Sequence, residues 1–263
     1  MTALAVSASV TLACVVPAAA QSVSEPEHPG SSTSRDGRRT LRRLPLNLGR
    51  GFAGVFHRES AFPAFVGGVA TGGASVLDEP LRASINPDPA AGWGQTVGTA
   101  GGAIWTGAFV SSLFAASRFG GNARFRAASY DLVEATIVNA AYVQSLKLIV
   151  HRRRPNGTNR QSFPSGHASN AFALATVAER HYGWKAGVPA YLLAGLVGAS
   201  RLKQDKHYFS DVMAGATLGY IVGRATVLRN NEGTAADSPR SPVLSVSPIV
   251  ARESRGLMLS VAF

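Results

Sequence analysis

Cysteine is nearly absent from this chain of 263 residues: Cys14 is the only one. Once a leader containing it is removed, no disulfide and no thiol ligand remain. Charge is scarce too, at 16% of residues against 46% hydrophobic, which excludes a chain that is disordered overall. Acidic residues are the rarer sign, 15 against 26 Lys and Arg, for a formal net charge of +11. Such a surplus favours anionic partners: phosphates, lipid headgroups or nucleic acid. No basic stretch interleaved with aromatics appears, which argues against nucleic acid. No metal-ligand spacing stands apart from the clusters described below, so neither a metal nor another cofactor is expected.

The first residues supply an apolar run, Ala3 to Val16, then Pro17 and the small residues Ala18, Ala19 and Ala20. That pattern reads as a secretory signal over 1–20, with cleavage before Gln21 and export to the periplasm or inner membrane. A frayed apolar N-terminus and a short membrane anchor are the other readings of the same run. Residues 21–60 are rich in Ser, Pro, Gly and Arg. They read as a flexible basic segment that lies on an anionic membrane surface, or as a solvated linker.

From Ala61 the texture becomes apolar segments separated by Gly, Pro or charge clusters. Six helices are expected, at about 62–77, 97–117, 130–151, 166–182, 187–202 and 208–228, and the fold class is all-α, a six-helix bundle over 61–230. The segment Val97–Ser117 is uncharged and of membrane-span length, roughly 20 residues. Hydropathy leaves two solvents open, a membrane-embedded bundle or a compact bundle in the periplasm. Residues 231–263 read as a linker followed by a short β-hairpin. Leu257, Leu259, Val261 and Phe263 alternate with Met258, Ser260 and Ala262, and the partner run is Val243–Val250.

Three clusters hold chemistry. The first runs from Lys147 to Arg154-Pro155. Seven residues is almost two helical turns, so both cations can share a face, and Pro155 ends the helix. Lys147 supplies a point charge and Arg154 a planar fork for phosphate oxygens. The second is Phe163-Pro164-Ser165-Gly166-His167. Ser165 can cap a helix whose free N–H groups favour an anion, with His167 beside it. The third runs from Ser200-Arg201 to His207 and Asp211. His207 and Asp211 are four apart, so a carboxylate can accept from Nδ1 and leave Nε2 as a nucleophile.

In this order the clusters read Lys-x6-Arg-Pro, Pro-Ser-Gly-His and Ser-Arg-x5-His-x3-Asp, and the pattern resembles the type 2 phosphatidic acid phosphatase and vanadium haloperoxidase superfamily. The resemblance spans about residues 60 to 228 and implies a metal-independent phosphatase acting on phosphomonoesters or diphosphates, above all lipid phosphates. It implies that His207 becomes a phosphohistidine with Asp211 orienting it. His167 would serve as acid and then base. Lys147, Arg154, Arg201, Ser165 and the Gly166 N–H would hold the phosphoryl oxygens. Arg152, Arg153, Lys203 and Lys206 are expected to tune the field at the mouth of the site, and His181 to lie on the surface. Three other functions compete: a soluble acid phosphatase of broad specificity, vanadium-dependent halide oxidation, and a non-catalytic basic membrane-binding protein. The sequence leaves oligomeric state open.

Overall fold

The computed structural model describes residues 39–85, 87–88, 92–231, 243–251 and 254–262. The expected leader, Cys14 and the stretch 21–38 lie outside the described residues. A 3-10 turn, Leu41–Arg43, leads into α1 (Leu44–Val55). The bundle continues through α2 (Arg58–Val76), α3 (Asp78–Ile85), α4 (Gly92–Ala100) and α5 (Ala103–Phe119). It is completed by α6 (Ala123–Val150), α7 (Gly166–Tyr182), α8 (Trp184–Lys203) and α9 (Phe209–Asn231). Two strands, β1 (Val243–Ala251) and β2 (Ser254–Ala262), pair antiparallel with Val243 opposite Ala262 and Ala251 opposite Ser254. The all-α bundle with a C-terminal hairpin is thus as the sequence pattern expects.

Five of the six expected helices are present as single helices, and three features differ from the expectation. Residues 44–55, placed in a flexible basic segment, are helical. Leu48, Phe52 and Val55 of α1 pack on the buried cluster of Ala135, Val138, Val177, Val222 and Val227. Their spacing puts them on one helical face, and burying that face outweighs the charged residues around it. The uncharged run 97–117 is not one helix. It is broken between α4 and α5, which meet at a 48° bend. The bend falls at Gly101 and Gly102, where a Cβ on Gly101 would stand 2.7 Å from Val197 Cγ1. Finally, α2 ends in a 62° bend that turns α3 away from it.

The central pair is α7 and α9. A Cβ on Gly215 would lie 2.4 Å from Ser165 O, one on Gly219 2.1 Å from Ser169 O, and one on Gly223 2.7 Å from Ala173 O. These glycines are four residues apart and share one face, so the backbones of the two helices touch along two turns. Because the obstacle is backbone, no rotamer change relieves it. Gly219→Ala is expected to force the helices apart and destabilise the bundle by about 1–3 kcal/mol or more, as overpacking does. Gly68→Ala, where nothing lies within 4 Å of the new Cβ, serves as the control. Thermal unfolding in detergent should show a lower midpoint for the first and none for the second.

At the end of the bundle where α6 begins, Asp131 is fully buried and accepts from Arg39 Nε and Nη2, both at 2.9 Å, and from Asn230 Nδ2 at 2.8 Å. His181 Nε2 lies 2.8 Å from the same carboxylate. His181 is therefore a member of a buried network and not the surface residue expected from its position near a helix end. The network pins the chain before α1 to α6, α7 and α9. Lys147 is 16 residues further along α6, so the network and Lys147 are roughly 24 Å apart at 1.5 Å per residue.

Candidate active site

The N-termini of α7 and α9 meet at the other end of the bundle, with the C-termini of α6 and α8 beside them. Ser165 N–H donates to Asp211 O at 2.9 Å, which ties the two N-termini together. The contact between α7 and α9 thus brings the Pro-Ser-Gly-His and His-x3-Asp segments into one place.

His207 sits in the turn between α8 and α9 and is 3% exposed. Its Nδ1 is 2.6 Å from Ser162 O, a carbonyl that can only accept, so this nitrogen carries the proton and Nε2 keeps its lone pair. Asp211 Oδ2 is 3.8 Å from Nδ1, too far for a hydrogen bond. The expected His207–Asp211 hydrogen bond is accordingly corrected. α9 starts at Phe209, so His207 precedes the helix, and Ser162 fills the space between the two. Ser162 Oγ donates to Asp211 Oδ2, which also accepts from Tyr208 N–H at 2.9 Å. Asp211 acts on His207 as a fixed negative charge. Ser162 was not singled out by its sequence, because the group it uses on His207 is a backbone carbonyl.

Burial pushes the His207 pKa down to about 4, with Asp211 opposing the shift and the charges of Lys147 and Arg154 adding to it. A pKa so lowered favours the neutral ring, with the proton on Nδ1 and the lone pair on Nε2.

The cations converge, though not from one helix. α6 ends at Val150, and His151 adopts a left-handed conformation (φ 52°, ψ 33°) with its N–H on Lys147 O. Arg154 therefore belongs to the following loop, where its N–H donates to Asn159 O at 2.9 Å. Lys147 Nζ donates to Gln161 O. Lys147, Arg154 and Arg201 are near enough that each feels the others' charge. Burial lowers the Arg154 pKa, and Asp211 opposes that.

Among the described residues, three buried polar atoms here have no hydrogen-bond partner: Arg154 Nε, Arg201 Nε and Ser165 Oγ. Ser165 does occupy the N-cap position of α7, but its hydroxyl makes no capping bond. The first N–H groups of α7 lack intrahelical acceptors as well. Buried donors left unpaired cost roughly 1–3 kcal/mol each, so this arrangement calls for an anion. Gly166 fits tightly, since a Cβ there would lie 3.2 Å from Val143 Cγ1.

His167, the second residue of α7, is half-buried among the charges of Arg201, His207, Lys206 and Arg154. A Cβ on Gly102 would stand 3.5 Å from its Nε2, so the break between α4 and α5 forms one wall of the site. Among the described residues no three His, Cys, Asp or Glu side chains are grouped to hold a metal ion.

Residues 129–233 match the PAP2 superfamily. Over 75 residues, 27% of the chain, the sequence is 43% identical to a lipid A 1-phosphatase of Porphyromonas gingivalis, and the match spans 17% of that relative's length. Two solved structures are similar. LpxE of Aquifex aeolicus has a TM-score of 0.48 and 23% identity, covering 58% of this chain and 95% of its own. A PAP2-type phosphatidylglycerolphosphate phosphatase of Bacillus subtilis has a TM-score of 0.47 and 18% identity, covering 72% and 95%. All three motif clusters lie inside residues 129–233, and it is this part of the chain that is similar to the PAP2 superfamily.

Proposed function

We propose that this protein is a phosphatase of lipid phosphates, monoesters or diphosphates, working without a metal through a phosphohistidine at His207. The observation that carries the proposal is the pairing of a neutral, buried His207 with a free Nε2 and a cluster of unpartnered buried donors on Arg154, Arg201 and Ser165. His207 Nε2 attacks phosphorus, and the bond to the leaving oxygen breaks as His167 donates a proton to it. Water then attacks the phosphorus, gives its proton to His167, and the P–N bond breaks to release phosphate and His207. Lys147, Arg154 and Arg201 balance the charge of the phosphoryl oxygens throughout.

A lipid substrate is favoured by the surroundings of the site. α6 is long and apolar enough to cross a membrane, and the two bent helix pairs are also if each counts as one span. Large apolar side chains are turned outward on α2, α5 and α8, among them Phe62, Phe65, Ile104, Phe109, Leu192 and Leu193. Exposure on that scale suits hydrocarbon and not water. A cavity of about 640 Å³ opens between α4, α5, α6, α7 and α8, lined by Val97, Gly101, Trp105, Phe109, Leu174 and Val197 among others. Its Gly101 adjoins the Gly102 wall beside His167, so an acyl chain held there would deliver its phosphate to the site. Such a helical bundle suits a membrane-embedded position, and the expected leader favours a site facing the periplasm.

Intact cells given a membrane-impermeant phosphate ester, with excess chelator present, should hydrolyse it, and vanadate should inhibit competitively. The purified protein in detergent should prefer phosphatidate to soluble sugar phosphates. Activity abolished by chelation and restored by Mg²⁺ would overturn the mechanism. Activity seen only after lysis would overturn the orientation.

A further inference from the structure

One set of charged groups that the phosphoryl-transfer steps leave unused is joined to Asp211. Arg152 was expected at the mouth of the site, but it points inward. Its Nη1 donates to Asp211 Oδ1 at 2.8 Å and to Ser210 Oγ at 2.7 Å, and its Nη2 donates to Asp78 Oδ2 at 2.8 Å. Its guanidinium also lies 4.2 Å from the centre of the Tyr208 ring. Asp78, the first residue of α3, is 5% exposed. Asp78 Oδ1 accepts from Ser210 N–H at 2.8 Å and Oδ2 from Ser210 Oγ at 2.6 Å. Each carboxylate oxygen of Asp211 is thus held: Oδ1 by Arg152, Oδ2 by Ser162 and Tyr208.

We propose that Asp78, on α3 outside the three motif clusters, and Arg152, in the loop after α6, are positioning residues for the nucleophile, acting through Asp211 on His207. The inference rests on the phosphatase reading above. Two physical effects are combined in the pair. Arg152 fixes the plane of the Asp211 carboxylate, which makes no hydrogen bond to His207 and depends on other partners for its orientation. Arg152 also brings a positive charge toward a histidine that must become cationic, and Asp78 offsets it. Asp78, Arg152 and Asp211 together carry one net negative charge, which favours the phosphohistidine cation. A single Arg–Asp pair would carry none. Burying a second carboxylate beside α9 is costly unless it is fully paired, and here it accepts from a guanidinium, a hydroxyl and a backbone N–H. The bend after α2 places Asp78 where it can do so.

Neither side chain belongs to the phosphate clamp, so the chemical step should suffer and binding should not. With p-nitrophenyl phosphate as the probe in detergent, Asp78→Asn and Arg152→Gln are each expected to lower kcat about 10- to 100-fold, with KM within about threefold of the unmutated value. The separating measurement is the rate of enzyme phosphorylation against pH, because ionisation of the substrate is common to all variants. The charged groups facing His207 are Asp211 on α9, Lys147 on α6, Arg154 on the loop and His167 on α7. None of these changes. Losing the negative charge of Asp78 should move the acidic limb to lower pH. Losing the positive charge of Arg152 should move it to higher pH. A merely structural role would not shift the two in opposite directions. Asp78→Glu, which keeps the charge, should restore the limb while kcat stays reduced, and it carries the comparison if Asp78→Asn does not fold. Limbs that move together, or a raised KM at unchanged kcat, would overturn the proposal. Absence of turnover by the unmutated protein would instead sink the phosphatase reading.

Discussion

His207→Ala should leave no measurable turnover and no acid-labile phosphoenzyme. Removing the nucleophile of a covalent mechanism costs roughly 10⁴-fold or more, because the remaining groups can bind and polarise phosphate but cannot form the P–N bond. The same site makes a pH prediction with a definite sign. The His207 pKa is pushed down to about 4, chiefly by burial. Its neutral, nucleophilic form is therefore present above that value and lost as pH falls through it. An exposed histidine would lose its nucleophilic form near pH 6.5 instead. Rapid-quench measurement of phosphoenzyme formation from pH 3.5 to 7 should show full burst amplitude at pH 5.5. Normal labelling of His207→Ala would remove His207 from the nucleophile role. A burst that fades through pH 6.5 would show that the ring is not held in the buried state described here.

What the sequence disclosed follows from what kind of group each role uses. Lys147, Arg154, Ser165, His167, Arg201, His207 and Asp211 carry side chains of distinctive chemistry, and their spacing within clusters is short. They could be read as candidates for one anion site. Their geometry could not. The reading of Lys147 and Arg154 on one helical face fails because His151 turns left-handed, and only the loop after it brings Arg154 back. The His207–Asp211 contact over four residues presumed a helix that begins two residues later than His207. Ser162 contributes a carbonyl, which every residue possesses, so nothing marks it in advance. Asp78 is 74 residues from Arg152 along the chain and follows a bend that hydropathy does not show. The break at Gly101–Gly102 was hidden for a related reason. An uncharged run reads the same whether it is straight or bent, and only the nearby Val197 and His167 explain why the helix is interrupted there. On the fold level, α1 escaped notice because Arg43, Arg50 and Arg58 around it suggested solvent, while its own apolar stripe of Leu48, Phe52 and Val55 is narrow.

His167→Asn should slow the transfer of phosphate to His207 severely for an alkyl phosphate and far less for p-nitrophenyl phosphate. A general acid contributes typically 10²- to 10⁴-fold where the leaving oxygen is strongly basic, and little where it is not. The alkoxide of a glycerolipid needs the proton, whereas nitrophenolate departs almost unaided. His167 Nε2 faces the wall at Gly102, and burial, with the charges of Arg201, His207, Lys206 and Arg154 adding to it, pushes the pKa down to about 3, so the negative charge of the bound phosphate must raise it before the ring can hold a proton for the leaving group. The second half-reaction should suffer with both substrates, because water must then attack without a base. Phosphoenzyme should consequently accumulate with the nitrophenyl ester, visible in stopped flow as a burst of nitrophenolate followed by a slow steady rate. Steady-state rates alone would mix the two steps and hide the contrast. Equal slowing of the first step for both leaving groups would rule His167 out as the acid and leave it as a phosphate-binding residue at the start of α7.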